Sequence, residues 1–165
     1  MSTVDKKHDN DNKFLTFYIS DELYALSVTH IKEILEYSIV TKVPLMHRCI
    51  SGITNIRGSV IPIIDLSIRL ELNYEQKINK RTSIIVLEKE DEVANFLVGI
   101  VVDEVNEVYE ILTNSQEETP VFGNKIRKEF VEHIAKIKGQ FIPILNPNTL
   151  IDINELSLVH NAEEL

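Results

Sequence analysis

Short hydrophobic runs, rich in isoleucine, valine, phenylalanine and tyrosine, recur along the chain from Phe14 onward and alternate with polar or turn residues. Runs of this length and composition are typical of β-strands. They predict strands at residues 14–19, 24–28, 39–43, 53–57, 60–66, 83–87, 95–102, 105–111, 130–137 and 141–145. The chain is therefore predicted to be mainly β.

Helical signals are fewer. Asn146 followed by Pro147 combines a good N-cap with a proline at the first helical position, which predicts a short helix near the C-terminus. Residues 31–35 fit either a helix or a strand, because Ile31, Ile34 and Leu35 share a helical face while their branched side chains suit a strand. Residues 71–81 are predicted to form a polar connector, and residues 114–128 a long loop with at most one helical turn.

An internal duplication is the most informative feature of the sequence. Residues 53–64 align with residues 134–145, 81 positions later, and six of the twelve pairs are identical. The identical pairs are Ile53/Ile134, Ile56/Ile137, Gly58/Gly139, Ile61/Ile142, Pro62/Pro143 and Ile63/Ile144. A weaker match places residues 24–34 over residues 98–108, 74 positions later. The two matches occur in the same order in each half of the chain.

Each repeated unit has the pattern of a strand, a glycine-containing hairpin turn and a second strand. Gly58 and Gly139 can adopt the positive φ that tight turns require. Pro62 and Pro143 each remove one amide donor, which a strand tolerates at an edge or a bulge. Two such units predict two similar small barrels or curled sheets packed together.

Composition and charge narrow the function. The 165 residues are 44% hydrophobic and carry a net charge of −9, which makes nucleic acid an unsuitable partner. The single cysteine, Cys49, excludes an internal disulfide and is interpreted as a small buried hydrophobe. The first twelve residues are polar, contain no signal peptide and are predicted to form a flexible tail. No apolar run approaches the length of about 20 residues that a membrane span needs, so direct membrane insertion is not expected.

No catalytic motif is recognisable in the chain. It has no phosphate-binding glycine loop, no nucleophile elbow, no zinc-binding helix and no paired cysteines. Its histidines stand apart without metal spacing, and adjacent carboxylates such as Asp103 and Glu104 would point to opposite faces of a strand. We therefore expect no enzymatic activity, no metal and no cofactor.

Several residues beside the apolar strands are suited to protein contacts. Asn55 and Arg57 alternate with isoleucines near the turn at Gly58, and an arginine there could pair with a partner's carboxylate or remain a solvated turn charge. Val28, Ile31 and Ile34 pose a similar choice, between core packing and a docking patch. The residue pattern leaves both choices open.

Residues 52–66, Gly-Ile-Thr-Asn-Ile-Arg-Gly-Ser-Val-Ile-Pro-Ile-Ile-Asp-Leu, resemble the signature of CheW-like domains. The resemblance extends upstream through residues 14–34 and downstream through residues 97–105 and 139–145, so it covers nearly the whole chain after the tail. It departs at Ser51, where many relatives carry a basic residue. The family resemblance implies two intertwined five-stranded SH3-like β-barrel subdomains with short helices, and a cytoplasmic adaptor of bacterial chemotaxis without catalytic groups.

The resemblance also implies partners and a site. The partners are the regulatory domain of the histidine kinase CheA and the cytoplasmic tip of a methyl-accepting chemotaxis receptor, which would recruit a free monomer to membrane receptor arrays. The kinase contacts are not assigned. The receptor groove between the barrels would involve Val28, Ile31, Glu33, Ile34, Asn55, Arg57, Gly58 and Val98.

The expected domain spans residues 13–152, and residues 153–165 are expected to form a C-terminal segment. The first barrel is expected mostly from about residues 14–70 and the second mostly from about residues 80–146. Whether the two barrels exchange strands is left open. Two alternatives remain at this stage. One is the same adaptor serving a parallel pathway, such as surface motility. The other is an enzyme or small-ligand carrier that uses a cleft between the barrels.

Overall fold

The computed structural model describes residues 10–90, 95–112, 116–117 and 126–156. Two short α-helices, α1 (Leu66–Arg69) and α2 (Pro147–Leu150), and two 3₁₀ turns, Val28–His30 and Lys128–Phe130, accompany the strands. No helix within the described ranges is long and apolar enough to cross a membrane. The strands are β1 (Lys13–Ile19), β2 (Glu22–Ser27), β3 (Ile31–Glu36), β4 (Ile50–Ile56), β5 (Ser59–Asp65), β6 (Ser83–Lys89), β7 (Phe96–Val102), β8 (Glu104–Glu110), β9 (Gln116–Glu117), β10 (Val131–Ile137) and β11 (Gln140–Leu145).

The strands form two sheets, one of six strands in the order β8-β1-β2-β11-β10-β9 and one of five in the order β3-β6-β7-β5-β4. Neighbours are antiparallel except at β2–β11 and β5–β7, which pair in parallel. The predicted class, mainly β with two similar sheets and a short helix near the C-terminus, is confirmed.

The duplication explains the strand order. Shifting each strand to its repeat turns β3-β6-β7-β5-β4 into β8-β1-β2-β11-β10, which is the order of the six-stranded sheet without β9. In each half, the strand that follows the first pair leaves for the opposite sheet. β3 follows β2 in the chain but lies beside β6, and β8 follows β7 but lies beside β1. The two sheets are therefore intertwined, as the family resemblance implies.

Closed barrels are not formed, in contrast to the prediction. β3 and β4 end the five-stranded sheet, and within the described ranges no ladder joins them. The connection between them forms an isolated backbone bridge with the outer edge of β4, where Thr41 and Ile53 exchange hydrogen bonds of 2.8 and 2.9 Å. The strand predicted at residues 39–43 is therefore wrong, because this segment pairs only through Thr41 and leaves Ile39 exposed.

The hairpin turns match the prediction closely. Arg57 and Gly58 have φ values of 53° and 86°, and Lys138 and Gly139 have values of 51° and 79°. Two successive residues at positive φ match the twist of the flanking antiparallel strands. The paired glycines thus occupy equivalent turns in the two halves.

Both short helices start at a side-chain cap. Asn146 caps α2 as predicted, by accepting a hydrogen bond from the amide of Asn148 at 3.0 Å. The sequence reading missed α1, which Asp65 caps by accepting from the amide of Ile68 at 3.2 Å. Asp65 lies 81 positions before Asn146, so the duplication itself carried the signal for this helix.

The largest hydrophobic core lies between the two sheets. It contains Phe17 and Leu26 from one sheet and Ile85 and Ile100 from the other, all fully buried. A smaller cluster packs inside the curl of each sheet. Burying both faces of the central strands explains their long apolar runs.

The other predictions have different outcomes. Residues 31–35, ambiguous in sequence, form strand β3, and residues 71–81 form the predicted connector without a helix or strand. Most of the predicted N-terminal tail, most of the loop at residues 114–128 and residues 157–165 lie outside the described residues. The bounds of the domain and of its two barrels stay a prediction.

Candidate protein-interaction site

A β-bulge in β3 places two isoleucines on one face of the five-stranded sheet. Ile31 pairs with Leu87 and Ile34 with Ile85, while the register shifts between residues 31 and 33. Leu87 and Ile85 are two residues apart and therefore share a face of β6. Residues directly opposite each other share a face, so the extra residue at the bulge brings Ile31 and Ile34 to the same side.

Val28 extends this apolar surface. It begins the 3₁₀ turn before β3, where Ser27 caps the turn by accepting from the amide of Thr29 at 3.3 Å. Val28 and Ile31 pack half-buried against the main core, whereas Ile34 is 44% exposed. We call Val28, Ile31 and Ile34 the β3 face.

Glu33 points to the opposite side of the sheet from Ile34. Its Oε2 accepts a hydrogen bond from Nη1 of Arg57 at 2.9 Å. The Arg57 side chain is 78% exposed and the Glu33 side chain only 20% exposed. The other oxygen of Glu33, Oε1, is buried and has no hydrogen-bond partner within the described part of the chain.

The turn around Gly58 holds Arg57 in position. The amide of Gly58 donates to Oδ1 of Asn55 at 2.9 Å, and Arg57 adopts a φ of 53°. The side-chain oxygen of Asn55 therefore stabilises the turn. Since Arg57 lies beside β4 and Glu33 lies on β3, their ion pair joins the two outer strands of the open sheet.

The structure thus divides the eight predicted groove residues into three groups. Val28, Ile31 and Ile34 form the β3 face, and Glu33, Asn55, Arg57 and Gly58 meet at one end of the curled sheet, which we call the Glu33–Arg57 corner. Val98 lies opposite Leu87, on the same side of the sheet as the β3 face, but is only 4% exposed.

A pocket of about 370 Å³ adjoins Val98, and sequence reasoning missed it. We call it the C-terminal pocket, since one wall is formed by residues 151–156. Four separate segments contribute to it, so no local sequence pattern signals it. Its lining residues are Val43, Pro44, Leu45, Met46, His47, Ile50, Pro62, Ile64, Phe96, Val98, Ile151, Ile153 and Leu156.

His47 is the one titratable residue of that lining. Its Nδ1 accepts a hydrogen bond from the amide of Cys49 at 3.1 Å, which requires this nitrogen to be unprotonated. Burial, with the nearby Arg69 as a second cause, lowers the pKa of His47 below its usual value. The neutral imidazole is thus favoured in the folded protein.

Arg69, a second residue that the sequence reading missed, holds the C-terminal segment. It is only 5% exposed. Its guanidinium donates to the carbonyl of Leu150 at 2.8 Å, to the carbonyl of Thr149 at 2.8 Å and to both carboxylate oxygens of Glu155 at 3.0 and 3.1 Å. It also lies over the ring of Phe130, 4.9 Å from the centroid. We call this set of contacts the Arg69 clamp.

The clamp also affects the ionisation of Glu155. Hydrogen bonds from Arg69 lower the pKa of Glu155, against a smaller opposing effect of burial.

Burial raises the pKa of the Cys49 thiol to about 11, so that thiol is uncharged at neutral pH. Among the described residues no cluster of three or more histidine, cysteine, aspartate or glutamate side chains could hold a metal ion.

Comparison with known proteins assigns the chain to a family. The model of the CheW-like domain matches residues 13–155. The chain belongs to the CheW family. It is 34% identical over 140 residues to the chemotaxis protein CheW of Bacillus subtilis, covering 85% of this chain and 86% of the relative. It is 28% identical over 156 residues to the chemotaxis protein CheW of Klebsiella aerogenes, covering 91% and 87%.

A solved structure agrees. The crystal structure of the scaffolding protein TtCheW from Thermoanaerobacter tengcongensis superposes with a TM-score of 0.78 and 34% identity, covering 87% of this chain and 90% of that one. The CheW family comprises scaffolding proteins of chemotaxis rather than enzymes. The chain is therefore a chemotaxis scaffold of this family.

Proposed function

We propose that this CheW-family protein couples methyl-accepting chemotaxis receptors to the histidine kinase CheA in the cytoplasm. It would bind the cytoplasmic tip of a receptor and the regulatory domain of the kinase at once, and be recruited to membrane arrays through them. Holding two partners on one rigid scaffold raises their effective concentration and fixes their relative orientation.

The Glu33–Arg57 ion pair, which shares strand β3 with the β3 face but lies across the sheet from Ile34, is the observation that carries this proposal. An amphipathic helix binds a groove through apolar side chains spaced along one face. Ile34 offers such a helix an exposed apolar contact, and Val28 and Ile31 continue the surface toward the core. The corner would add a polar contact from the other side of the same strand.

Arg57 suits the role of a polar anchor. One of its nitrogens is paired with Glu33, while the side chain as a whole is 78% exposed. A guanidinium carries five N–H donors in a fixed plane, so it can keep Glu33 and still pair with a carboxylate or carbonyl of a partner. Glu33, being mostly buried, fixes the orientation of that group before the partner arrives.

Val98 takes an indirect part in this proposal. Because it is 4% exposed, it supports the surface from beneath instead of contacting a receptor helix. The kinase-binding surface is separate in this proposal, so that both partners bind together, and its residues are not assigned.

A pull-down with a receptor fragment tests the anchor. Arg57→Glu places like charges at the corner and should weaken receptor binding about tenfold, which corresponds to about 1.4 kcal/mol. Arg81→Glu is the matched control, because Arg81 is 74% exposed and lies 3.7 Å from Glu104, remote in sequence from the corner. The control should bind the receptor fragment like the wild type.

The kinase domain supplies a second readout of the same variants. Arg57→Glu should keep its affinity for the kinase domain, which also shows that the variant is folded. Unchanged receptor affinity in folded Arg57→Glu would remove the proposed role of the corner.

A further inference from the structure

The C-terminal pocket has the size and the lining of a small-molecule site, and the coupling proposal does not use it. Its volume is about 370 Å³, and four separate segments of the chain converge on it. Small-molecule sites typically occupy about 300–1,000 Å³ and combine a mostly apolar lining with a small number of polar groups. His47 supplies such a polar group, and the other lining side chains are apolar.

Backbone hydrogen bonds fix the segment of the pocket wall that carries His47. The amide of Ile50 donates to the carbonyl of His47 at 2.9 Å, and the amide of Asp65 donates to the carbonyl of Cys49 at 2.8 Å. Nδ1 of His47 accepts from the amide of Cys49 at 3.1 Å, which also fixes the orientation of the ring.

The wall formed by residues 151–156 is fixed as well. Asp152 accepts from the amide of Glu155 at 3.2 Å, and its carbonyl accepts from the amide of Leu156 at 2.9 Å. The Arg69 clamp holds the Glu155 side chain of the same turn. Walls that are ordered before a ligand arrives reduce the entropy that binding costs.

The hydrogen bond to Cys49 determines what His47 can offer a ligand. Because Nδ1 accepts, the neutral ring carries its proton on Nε2. Nε2 has no hydrogen-bond partner among the residues that the structure describes. His47 therefore presents an N–H donor, which suits a ligand with a hydrogen-bond acceptor.

Volume and polarity narrow the class of ligand. A cavity of about 150 Å³ accommodates benzene, so one aromatic side chain of a partner protein would fill less than half of this pocket. A molecule of about two fused rings matches the volume better. A charged ligand would lose its hydration against the apolar lining, which favours an uncharged one.

We propose that the C-terminal pocket binds an uncharged molecule of about two fused rings, with the Nε2–H of His47 donating to one acceptor atom of that molecule. Ile64 and Val98, which are 1% and 4% exposed, contact its rings from the protein interior. Leu45 and Ile153, which are 50% and 38% exposed, lie at the entrance. This site goes beyond receptor and kinase coupling and does not depend on it.

A methyl NMR titration of the full-length protein with α-tetralone, an uncharged two-ring ketone, tests the site. The methyl signals of Ile64 and Val98 should shift with saturation, at a dissociation constant on the order of 0.1–1 mM. Ile142, buried in the separate cluster of the six-stranded sheet, is the remote reference, and its signal should stay in place. The ring nitrogen signals of His47 should shift together with the pocket methyl signals.

A charged probe tests the ligand class. Naphthoate has two fused rings like α-tetralone but carries a carboxylate, and it should bind about tenfold more weakly. Naphthoate binding as tightly as α-tetralone would overturn the assignment of an uncharged ligand.

Two matched variants test the location. Ile153→Asp places a charge at the entrance and should weaken the binding of α-tetralone about tenfold. Ile78→Asp is the control, because Ile78 is 52% exposed and lies outside the pocket lining, and it should leave the affinity unchanged. An unchanged Ile142 signal in both variants shows that they are folded.

Three results would overturn the proposal. Pocket signals that do not shift with α-tetralone, or that shift no more than the signal of Ile142, would show that the pocket does not bind this class. Equal affinities of the wild type and folded Ile153→Asp would place the ligand elsewhere. Wild-type pocket signals that move with protein concentration would show that a second copy occupies the pocket. Because receptor and kinase are absent, none of these results affects the coupling proposal.

Discussion

The Arg69 clamp gives the sharpest stability prediction. Arg69→Met keeps a long apolar stem in place of the guanidinium but leaves the carbonyls of Thr149 and Leu150 without their donors. A hydrogen bond to a charged group contributes about 1.5–3 kcal/mol, and Arg69 donates two such bonds to backbone carbonyls. Relief from burying the guanidinium offsets part of this loss, so we expect a net destabilisation of about 3 kcal/mol.

Glu155→Gln is the matched control for that variant. The Glu155 side chain is 43% exposed, so water can replace its contacts. Arg69 would keep both backbone carbonyls. Ion pairs at this exposure contribute about 1 kcal/mol or less, and we expect a loss within that range.

Urea unfolding measures both variants. With a denaturant slope of about 2 kcal/mol per molar, Arg69→Met should lower the midpoint by about 1.5 M without changing the slope. An equal or smaller loss of unfolding free energy in Arg69→Met than in Glu155→Gln would refute the reasoning. It would mean that the backbone carbonyls of Thr149 and Leu150 do not depend on the guanidinium.

The pH dependence checks the Glu155 contact independently. Since its folded pKa is depressed below the usual value of 4.5, its contribution is fully present above that value and is lost as the pH falls through the folded pKa. The stability difference between the wild type and Glu155→Gln should therefore be constant above about pH 5 and shrink below it. A difference that grows on acidification would contradict the assigned contact.

Three further predictions concern other positions. Gly52→Ala should lower the free energy of unfolding in urea by more than about 2 kcal/mol, because its Cβ would lie 2.1 Å from the carbonyl oxygen of Thr41. Gly58→Ala is strained only by its positive φ and should lower that free energy by about 1–2 kcal/mol. Equal losses would contradict the close approach at Gly52. The thiol of Cys49, fully buried and with its pKa raised to about 11, should react with Ellman's reagent only after unfolding, and fast reaction in the native protein would contradict its burial. The wild type should lose stability as the pH falls below the usual histidine pKa of 6.5, because the neutral ring of His47 is favoured in the folded state. His47→Gln should not show this loss. Parallel plots of unfolding free energy against pH for the two proteins would contradict the prediction.

The local elements were predictable because each rests on short-range chemistry. The glycine turns at Gly58 and Gly139 and the cap at Asn146 follow from backbone conformation and side-chain hydrogen bonding. The duplication also contained the signal for helix α1, since Asp65 is the counterpart of Asn146. The strand predicted at residues 39–43 failed because an apolar run of that length does not specify whether a neighbouring strand is available for pairing.

The long-range features were not predictable from local patterns. Nothing in the sequence of β3 or β8 specifies that each joins the opposite sheet. The bulge that brings Ile31 and Ile34 to one face is a property of the pairing with β6. Arg69 was missed because a charged residue is normally read as exposed, and its partners lie about 80 residues away.

The candidate site stays a prediction, although the structure shows how its residues are arranged. Residues far apart in sequence, Glu33 and Arg57, meet at 2.9 Å in the structure, and the residue pattern alone had left Arg57 equally suited to a solvated turn. Val98 was expected in the receptor groove, and the structure buries it to 4% exposure. Burial depends on the packing of both sheets, which a pattern within one strand does not contain.

Simultaneous binding tests the coupling proposal most directly. The receptor fragment is immobilised, the protein is added to saturation, and capture of the soluble kinase regulatory domain is measured by sedimentation. We expect the kinase domain to be captured only when the protein is present, with Arg57→Glu reducing capture and Arg81→Glu leaving it unchanged. Displacement of the protein from the receptor fragment by the kinase domain would contradict the account, because the two partners would then share one surface.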